Sequence, residues 1–267
     1  AVEKLDVSFA AIIGTPVPAV IGTDYKALGR MTEKKTGLPV LTIDTNGMDL
    51  YDRGQEKAWL ALFKKFVVDE MSVEKGRVGI IGATPQDLSD LSAGDQLRQI
   101  FAADGKKAVC YGMGDGLDAV KQAASAEYNL VVSPSALETA KYLQKQFGTP
   151  YVVGYPLVKT MLPEADYTGK KVLIVHQQVM ANALREELKM RGASEVKVCS
   201  WFDMKTELRE EDDVYLKEED DFTELAADSK WDVVIADDCM KSMLPEFGGQ
   251  FIGIRHFAVS GKLGGAC

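Results

Sequence analysis

Short runs rich in valine and isoleucine alternate with helix-length amphipathic segments along the whole 267-residue chain, and this alternation constrains the fold more than any other feature. A strand with one wet face alternates apolar and polar residues, whereas a strand buried on both faces reads as a continuous apolar run. The runs here are continuous. The predicted class is therefore α/β, with tandem Rossmann-like units of doubly wound, mainly parallel sheet covered by helices. Strands are predicted over residues 7–13, 39–43, 77–82, 107–111, 129–133, 151–154, 171–176, 195–200, 232–237 and 251–256, in groups of two, four and four.

Two connections separate the groups, Met71-Ser-Val-Glu-Lys-Gly76 and Met161-Leu-Pro-Glu-Ala-Asp-Tyr-Thr-Gly169, which predicts units at 1–75, 76–165 and 166–267. Two strands make a poor independent sheet. The first unit is thus expected either to pack on the second or to be the C-terminal remnant of a longer domain, and the ending Gly264-Gly-Ala-Cys267 fits a fragment. With 46% hydrophobic residues the chain has material for a sizeable core, and its 31 basic against 40 acidic residues repel a phosphate backbone. Small molecules or protein partners are expected, and nucleic acid is not. No apolar run reaches the roughly 18 residues of a membrane span, and the start Ala1-Val-Glu-Lys-Leu-Asp lacks the order of a signal peptide, so a cytoplasmic protein is expected. Cys110, Cys199, Cys239 and Cys267 are widely spaced and never form CxxC, which leaves reduced thiols as the default. The acidic stretch 207–224 reads as a solvated surface insertion or a docking site for a basic partner.

The candidate site residues fall at predicted strand ends, where open parallel sheets hold their ligands. Gly112, Gly114, Asp115 and Gly116 form a glycine turn after the fourth strand, read either as a plain tight turn or as the wall of a ligand crevice. NAD is not expected. The spacing is GxGxG rather than GxGxxG, and the next strand ends at Ser133 where a ribose-binding enzyme wants an acid. Ser133 is also placed to cap a helix, with Pro134 at its first position, an apolar stripe of Ala136, Leu137, Ala140, Leu143 and Phe147, and Gly148 as its stop. His176 with Gln177, and His256, each follow an apolar strand and are candidates for ligand contact or for structural hydrogen bonds. Cys110 and Cys199 read as small buried hydrophobes. Cys239 follows a strand and precedes a helix-like segment, so a thiol of lowered pKa or a metal ligand is the functional reading there. Asp237 and Asp238 are candidate helix caps or acceptors.

Several stretches together resemble a known family. They are Gly14-Thr-Pro-Val-Pro-Ala-Val-Ile-Gly-Thr-Asp24, Gly37-Leu-Pro-Val-Leu-Thr-Ile-Asp-Thr-Asn-Gly47, Val78-Gly-Ile-Ile-Gly82, Asn129-Leu-Val-Val-Ser133, the segment 141–151, and Gly169-Lys-Lys-Val-Leu-Ile-Val175. On these residues the chain resembles the nitrogenase component 1 type oxidoreductases, which include molybdenum-iron protein subunits, cofactor-assembly scaffolds and dark protochlorophyllide reductase subunits. The resemblance implies Rossmann-like domains around an iron-sulfur or heterometal cluster or a tetrapyrrole. It also implies a homologous partner subunit and an electron-donating, ATP-dependent reductase. By the same resemblance His256 lies near a metal-ligating histidine, and His176 and Gln177 match a turn that packs on the cofactor. Pro16 stands where cluster-binding members carry cysteine, so a bridging cluster lacks that ligand, and Ser133 stands near another cysteine position. The implied function is a nitrogenase-like oxidoreductase subunit, and the alternative is a non-catalytic cofactor carrier or assembly scaffold.

Overall fold

The computed structural model describes residues 6–228 and 230–264; Cys267 lies outside them. Strands β1 (Ala10–Ile13) and β2 (Val40–Ile43) form a parallel pair. β3 (Glu74–Ile81), β4 (Lys107–Cys110), β5 (Ala126–Val131) and β6 (Tyr151–Val153) form a second parallel sheet in the order β4-β3-β5-β6. β7 (Lys171–Val175), β8 (Glu195–Ser200), β9 (Val214–Tyr215), β10 (Val233–Ala236) and β11 (Gln250–Gly253) form a third, also parallel, in the order β11-β10-β7-β8-β9. In the second sheet the order reverses between β3 and β5, and in the third between β7 and β10. These are the switch points where strand ends diverge and leave a crevice.

Side chains that alternate along each strand build separate cores on its two faces. Val78 and Ile80 of β3 share one cluster with Val172 and Ile174 of β7, joined through Leu157, Val158 and the helix Gln178–Met190, so the second and third sheets face a common apolar layer. Ile81 points the other way, with Val109, Tyr111 and Val131, toward Trp59, Phe63 and Phe66. Those three aromatics lie at four- and three-residue steps on the helix Tyr51–Phe66. Through this helix the first segment covers the outer face of the second sheet, and Phe63 meets Tyr111 edge to face with ring centroids 5.2 Å apart. Leu173 and Val175 cover the far side of the third sheet with Phe222 and Trp231.

Two stretches differ from their sequence reading. β3 begins at Glu74, inside the predicted boundary 71–76; a register shift against β5 between Glu74 and Val78 absorbs Gly76, whose N–H is accepted by Glu127. The acidic stretch is ordered rather than a simple solvated insertion. It supplies β9, the helix Glu219–Ala227, and Asp213, which is buried in a bidentate pair with Arg185 at 2.6 and 3.0 Å. Among the described residues no helix is long and apolar enough to cross a membrane.

Removing one partner of a buried ion pair leaves an uncompensated charge. Asp213→Ala is expected to lower unfolding free energy by about 3 kcal/mol in urea denaturation, and the double change Arg185→Met with Asp213→Leu to cost clearly less.

Candidate functional site

The second sheet's switch point is closed by a glycine. Gly82 follows β3 at φ +91°, and a Cβ there would lie 2.9 Å from the Cβ atoms of both Ser133 and Ala136. Only glycine lets the two strand ends approach this closely. Ser133 is wholly buried, bonds Ser135 Oγ at 2.9 Å and caps the turn Pro134–Ala136 that leads into the helix Leu137–Phe147, which stops at Gly148 in the left-handed region. Beyond Gly82, Thr84 precedes the short helix Pro85–Leu88, and Asp87 turns inward there to 1% exposure.

The Asp87 carboxylate collects three donors. Tyr51 Oη donates to Oδ1 at 2.8 Å, while Gln55 Nε2 and Thr84 Oγ1 donate to Oδ2 at 2.8 and 3.1 Å. Burial pushes the carboxyl up to about 6, opposed by the hydrogen bonds of Tyr51, Gln55 and Thr84 that favour its charged form. The Tyr51 phenol is raised far above its ordinary value, first by burial and then by the neighbouring Asp87.

Tyr51 also reaches the third sheet. His256 Nε2 lies 3.2 Å from Tyr51 Oη. Because the phenol proton is given to Asp87, His256 is the donor in this contact. The His256 ring stacks on His176 at 4.4 Å and 17°, and Phe202 stands 4.9 Å from both His256 and Tyr51. His176 Nδ1 accepts the Gln177 N–H at 2.9 Å, which leaves its Nε2 to donate to Arg255 O at 3.0 Å and defines the neutral tautomer. Burial lowers His176 to about 4, and burial together with the adjacent His176 lowers His256 well below its ordinary value. Gln177 ties the sheets directly, donating from Nε2 to Val132 O at 3.0 Å while its Oε1 caps Val179 N–H at 2.8 Å. Asp237 caps Cys239 N–H and accepts from His256 N–H and Ser260 Oγ; burial acts to raise its pKa, but these bonds leave it lowered.

The open space lies elsewhere. A recess of about 410 Å³ separates the face of the β1–β2 pair from the glycine turn, lined by Phe9, Leu41, Trp59, Thr84, Gly112 and Leu117 among others. Gly112, at φ +89°, presses on Ala83 O and the Trp59 ring, each 2.8 Å from where a Cβ would sit. Asp115 and Gly116 also line it, and Asp115 Oδ2 is engaged by Arg98 Nη2 at 2.9 Å and Cys110 N–H at 2.7 Å. Gln55 Oε1 and Trp59 Nε1, both on lining residues, are buried without a hydrogen-bond partner. A larger cavity of about 820 Å³ opens between Trp231, Met243 and Phe247, beside the starting residues of β10 and β11, at the end of the sheet opposite the histidines.

The structure therefore divides the predicted site residues into two sets. Gly112, Asp115 and Gly116 face the recess, whereas Ser133, His176, Gln177 and His256 are sealed in the polar junction behind Thr84. Gly114 faces neither and lies against the Arg98 guanidinium. Pro16 opens the short helix Pro16–Val20, where a missing N–H costs nothing. Cys110 and Cys199 are buried in their strands as expected. The lowered thiol expected at Cys239 is corrected. It is exposed but raised to about 11, by desolvation first and then by the Asp237 carboxylate beside it, and it is the second residue of only a six-residue 3-10 turn, Asp238–Met243. Tyr51, Gln55, Thr84 and Asp87 were not singled out in the sequence. The available signal was Thr84-Pro-Gln-Asp87 directly after a strand, together with the stripe of Tyr51, Gln55, Trp59 and Phe63.

Parallel sheets whose switch points meet at a polar junction, with an adjoining apolar recess, define an α/β protein of the multi-sheet type. The chain belongs to the nitrogenase component 1 type oxidoreductase family, whose model matches residues 1–158. Its fold is similar to the solved structure "Nitrogenase Cp1 at pH 6.5", with a TM-score of 0.67 and 13% identity over 94% of this chain and 69% of that one. It is similar also to "Nitrogenase Cp1 at pH 5", with a TM-score of 0.65 and 14% identity over 95% of this chain and 66% of that one. The chain thus spans about two thirds of those proteins' length, and at such identities the likeness is one of fold. No curated protein matches the sequence.

The buried histidines and Asp87 set opposite pH dependences. Each histidine is neutral when folded and titrates near 6.5 when unfolded, so its stabilising contribution is lost as pH falls below 6.5, for His176 toward about 4 and by roughly 3 kcal/mol. Asp87 is raised from 3.8 to about 6, takes its proton first in the folded state, and adds stability as pH falls through that window. Asp52, raised first by burial, acts in the same direction as Asp87, and the two histidines are expected to outweigh these carboxyls as pH falls below 6.5, read as a falling urea midpoint. His256→Gln is expected to flatten that profile.

Proposed function

We propose that this chain acts as a nitrogenase-like oxidoreductase subunit that holds a planar, tetrapyrrole-type ligand in the recess between the β1–β2 pair and the 112–116 turn. Electrons would arrive from a separate ATP-dependent reductase. The observation that carries the reading is the recess itself, whose volume of about 410 Å³ falls within the range of small-molecule sites. Its walls are mainly apolar, and two of its lining residues carry buried polar atoms without partners, Gln55 Oε1 and Trp59 Nε1. Such a lining suits a large conjugated ring bearing a few polar groups. The ring would supply the double bonds to be reduced; Phe9, Leu41 and Leu117 would hold its faces, and Gln55 and Trp59 would orient it.

An iron-sulfur or heterometal cluster fits these residues poorly. Clusters require thiolates. No cysteine or histidine lines the recess, Cys110 and Cys199 are raised to about 11 and 12 by burial, and among the described residues no group of three or more His, Cys, Asp or Glu side chains is placed to hold a metal ion. His256, the candidate metal ligand, has its Nε2 in contact with Tyr51. That closed histidine junction favours the second reading, a carrier or assembly scaffold that binds the same ligand without turning it over. The exposed apolar residues Ile13, Val17, Val20 and Ile21 support docking to a homologous subunit.

Titration with protoporphyrin IX, followed by tryptophan quenching and absorbance, is expected to show saturable binding that Gly112→Ala weakens at least about tenfold, since its Cβ would meet Ala83 O and Trp59 at 2.8 Å. Anaerobic reconstitution with iron and sulfide that yields a cluster EPR signal, with no porphyrin binding, would overturn the reading. Binding without reduction by any partner reductase would select the carrier.

A further inference from the structure

We propose that Asp87 is the proton reservoir for the ligand of the recess, working through the hydroxyl of Thr84; this rests on the ligand-site reading above. The recess offers a ligand no other available acid. Asp115 is the one ionisable residue in its lining, and its Oδ2 is engaged by Arg98 and the Cys110 N–H. Thr84 and Gln55 both line the recess, and both donate to Asp87 Oδ2, at 3.1 and 2.8 Å. The buried carboxyl thus stands one hydroxyl away from whatever the recess holds.

A threonine hydroxyl has a single proton to give. While Asp87 is ionised, that proton is directed at the carboxylate and the hydroxyl accepts from Gln55 Nε2 at 2.8 Å, so Thr84 has no proton to offer a ligand. Once Asp87 is protonated, its own O–H can donate to Thr84 Oγ1, and the threonine proton is released toward the recess. Transfer follows without any electron moving. The Asp87 O–H bond breaks as a new one forms on Thr84 Oγ1, and the original Thr84 proton passes to a basic atom of the ligand. A carboxylate remains on Asp87 and a positive charge on the ligand, within reach of each other.

The surroundings suit a group that must both hold and release a proton. Tyr51 faces Asp87 from the helix Tyr51–Phe66, and Tyr155 from the segment after β6; His256 lies behind Tyr51, and Asp90 lies near Tyr155. His256 is kept neutral by burial, and among the described residues no lysine or arginine forms an ion pair with Asp87. Burial accordingly leaves the carboxyl at about 6, where it exchanges protons near neutrality.

A purely structural Asp87, which only fastens the first segment to the second sheet, would leave a bound base's titration unchanged when replaced by asparagine. Acridine, planar with one basic ring nitrogen, emits differently as neutral molecule and as cation, and so reports both binding and protonation. It should be titrated with the full chain and with Asp87→Asn, Thr84→Val and Thr84→Ser, by anisotropy for affinity and by emission colour from pH 5 to 8. Bound acridine is expected to become cationic at a pH about one unit higher in the wild type and Thr84→Ser than in Asp87→Asn and Thr84→Val. Identical titration in all four forms with binding intact would overturn the proposal and leave the ligand site standing. No acridine binding to the wild type would remove the ligand-site reading and the proposal with it. Should Asp87→Asn fail to fold by circular dichroism, Thr84→Val decides alone, because it leaves Asp87 with Tyr51 and Gln55 in place.

Discussion

A carboxylate buried at 1% exposure with no ion-pair partner among the described residues must be satisfied by hydrogen bonds, and the placement of the first segment follows from how Asp87 meets that demand. Two of its donors, Tyr51 and Gln55, lie one turn apart on the helix Tyr51–Phe66. Their bonds fix the helix end over the switch point of the second sheet, and the same face then carries Trp59, Phe63 and Phe66 onto the apolar side of that sheet. Tyr51 in turn bonds His256, so one phenol links all three sheets. The recess is a consequence of this arrangement. With the helix held there, the β1–β2 pair stands off from the 112–116 turn instead of packing against it.

Two environments of opposite character therefore lie back to back. The junction of His176, His256, Tyr51 and Asp87 is polar, closed and hydrogen-bonded. The recess is apolar and open, and two of its lining residues, Gln55 and Trp59, carry buried polar atoms without partners. Thr84 and Gln55 belong to both. In this nitrogenase component 1 type fold the buried polar groups stand behind the wall and the open space in front. That division differs from the arrangement the family resemblance implied, in which the histidines themselves would face a bound cofactor.

The fold was largely legible because continuous apolar runs and local punctuation carry the information. All ten predicted strands are present and Gly148 stops the helix Leu137–Phe147 as the sequence reading expects, while the Ser133 cap and Pro134 start open the 3-10 turn Pro134–Ala136 that leads into it. The two-residue β9 was not legible, since it sits among acidic residues and is defined only by pairing with β8. The glycine turn was recognisable as a strand-end feature, and part of it does line the recess. The Asp87 network was hidden for a different reason. Its partners are 36 and 32 residues away, and no local pattern tells a carboxyl that caps a short helix from one driven inward to meet a distant tyrosine. Cys239 shows the reverse failure: its helix-start position suggested a reactive thiolate, and desolvation, then the capping Asp237 beside it, raise the thiol instead.

The most direct test of the account is a crystal structure of the chain grown with protoporphyrin IX. The account predicts the macrocycle between Phe9 and Leu41 on one side and Gly112 and Leu117 on the other, with Gln55 Oε1 and Trp59 Nε1 partnered and the His176–His256 stack unbroken. A macrocycle seated between the two histidines, with the Tyr51–His256 contact opened, would contradict it.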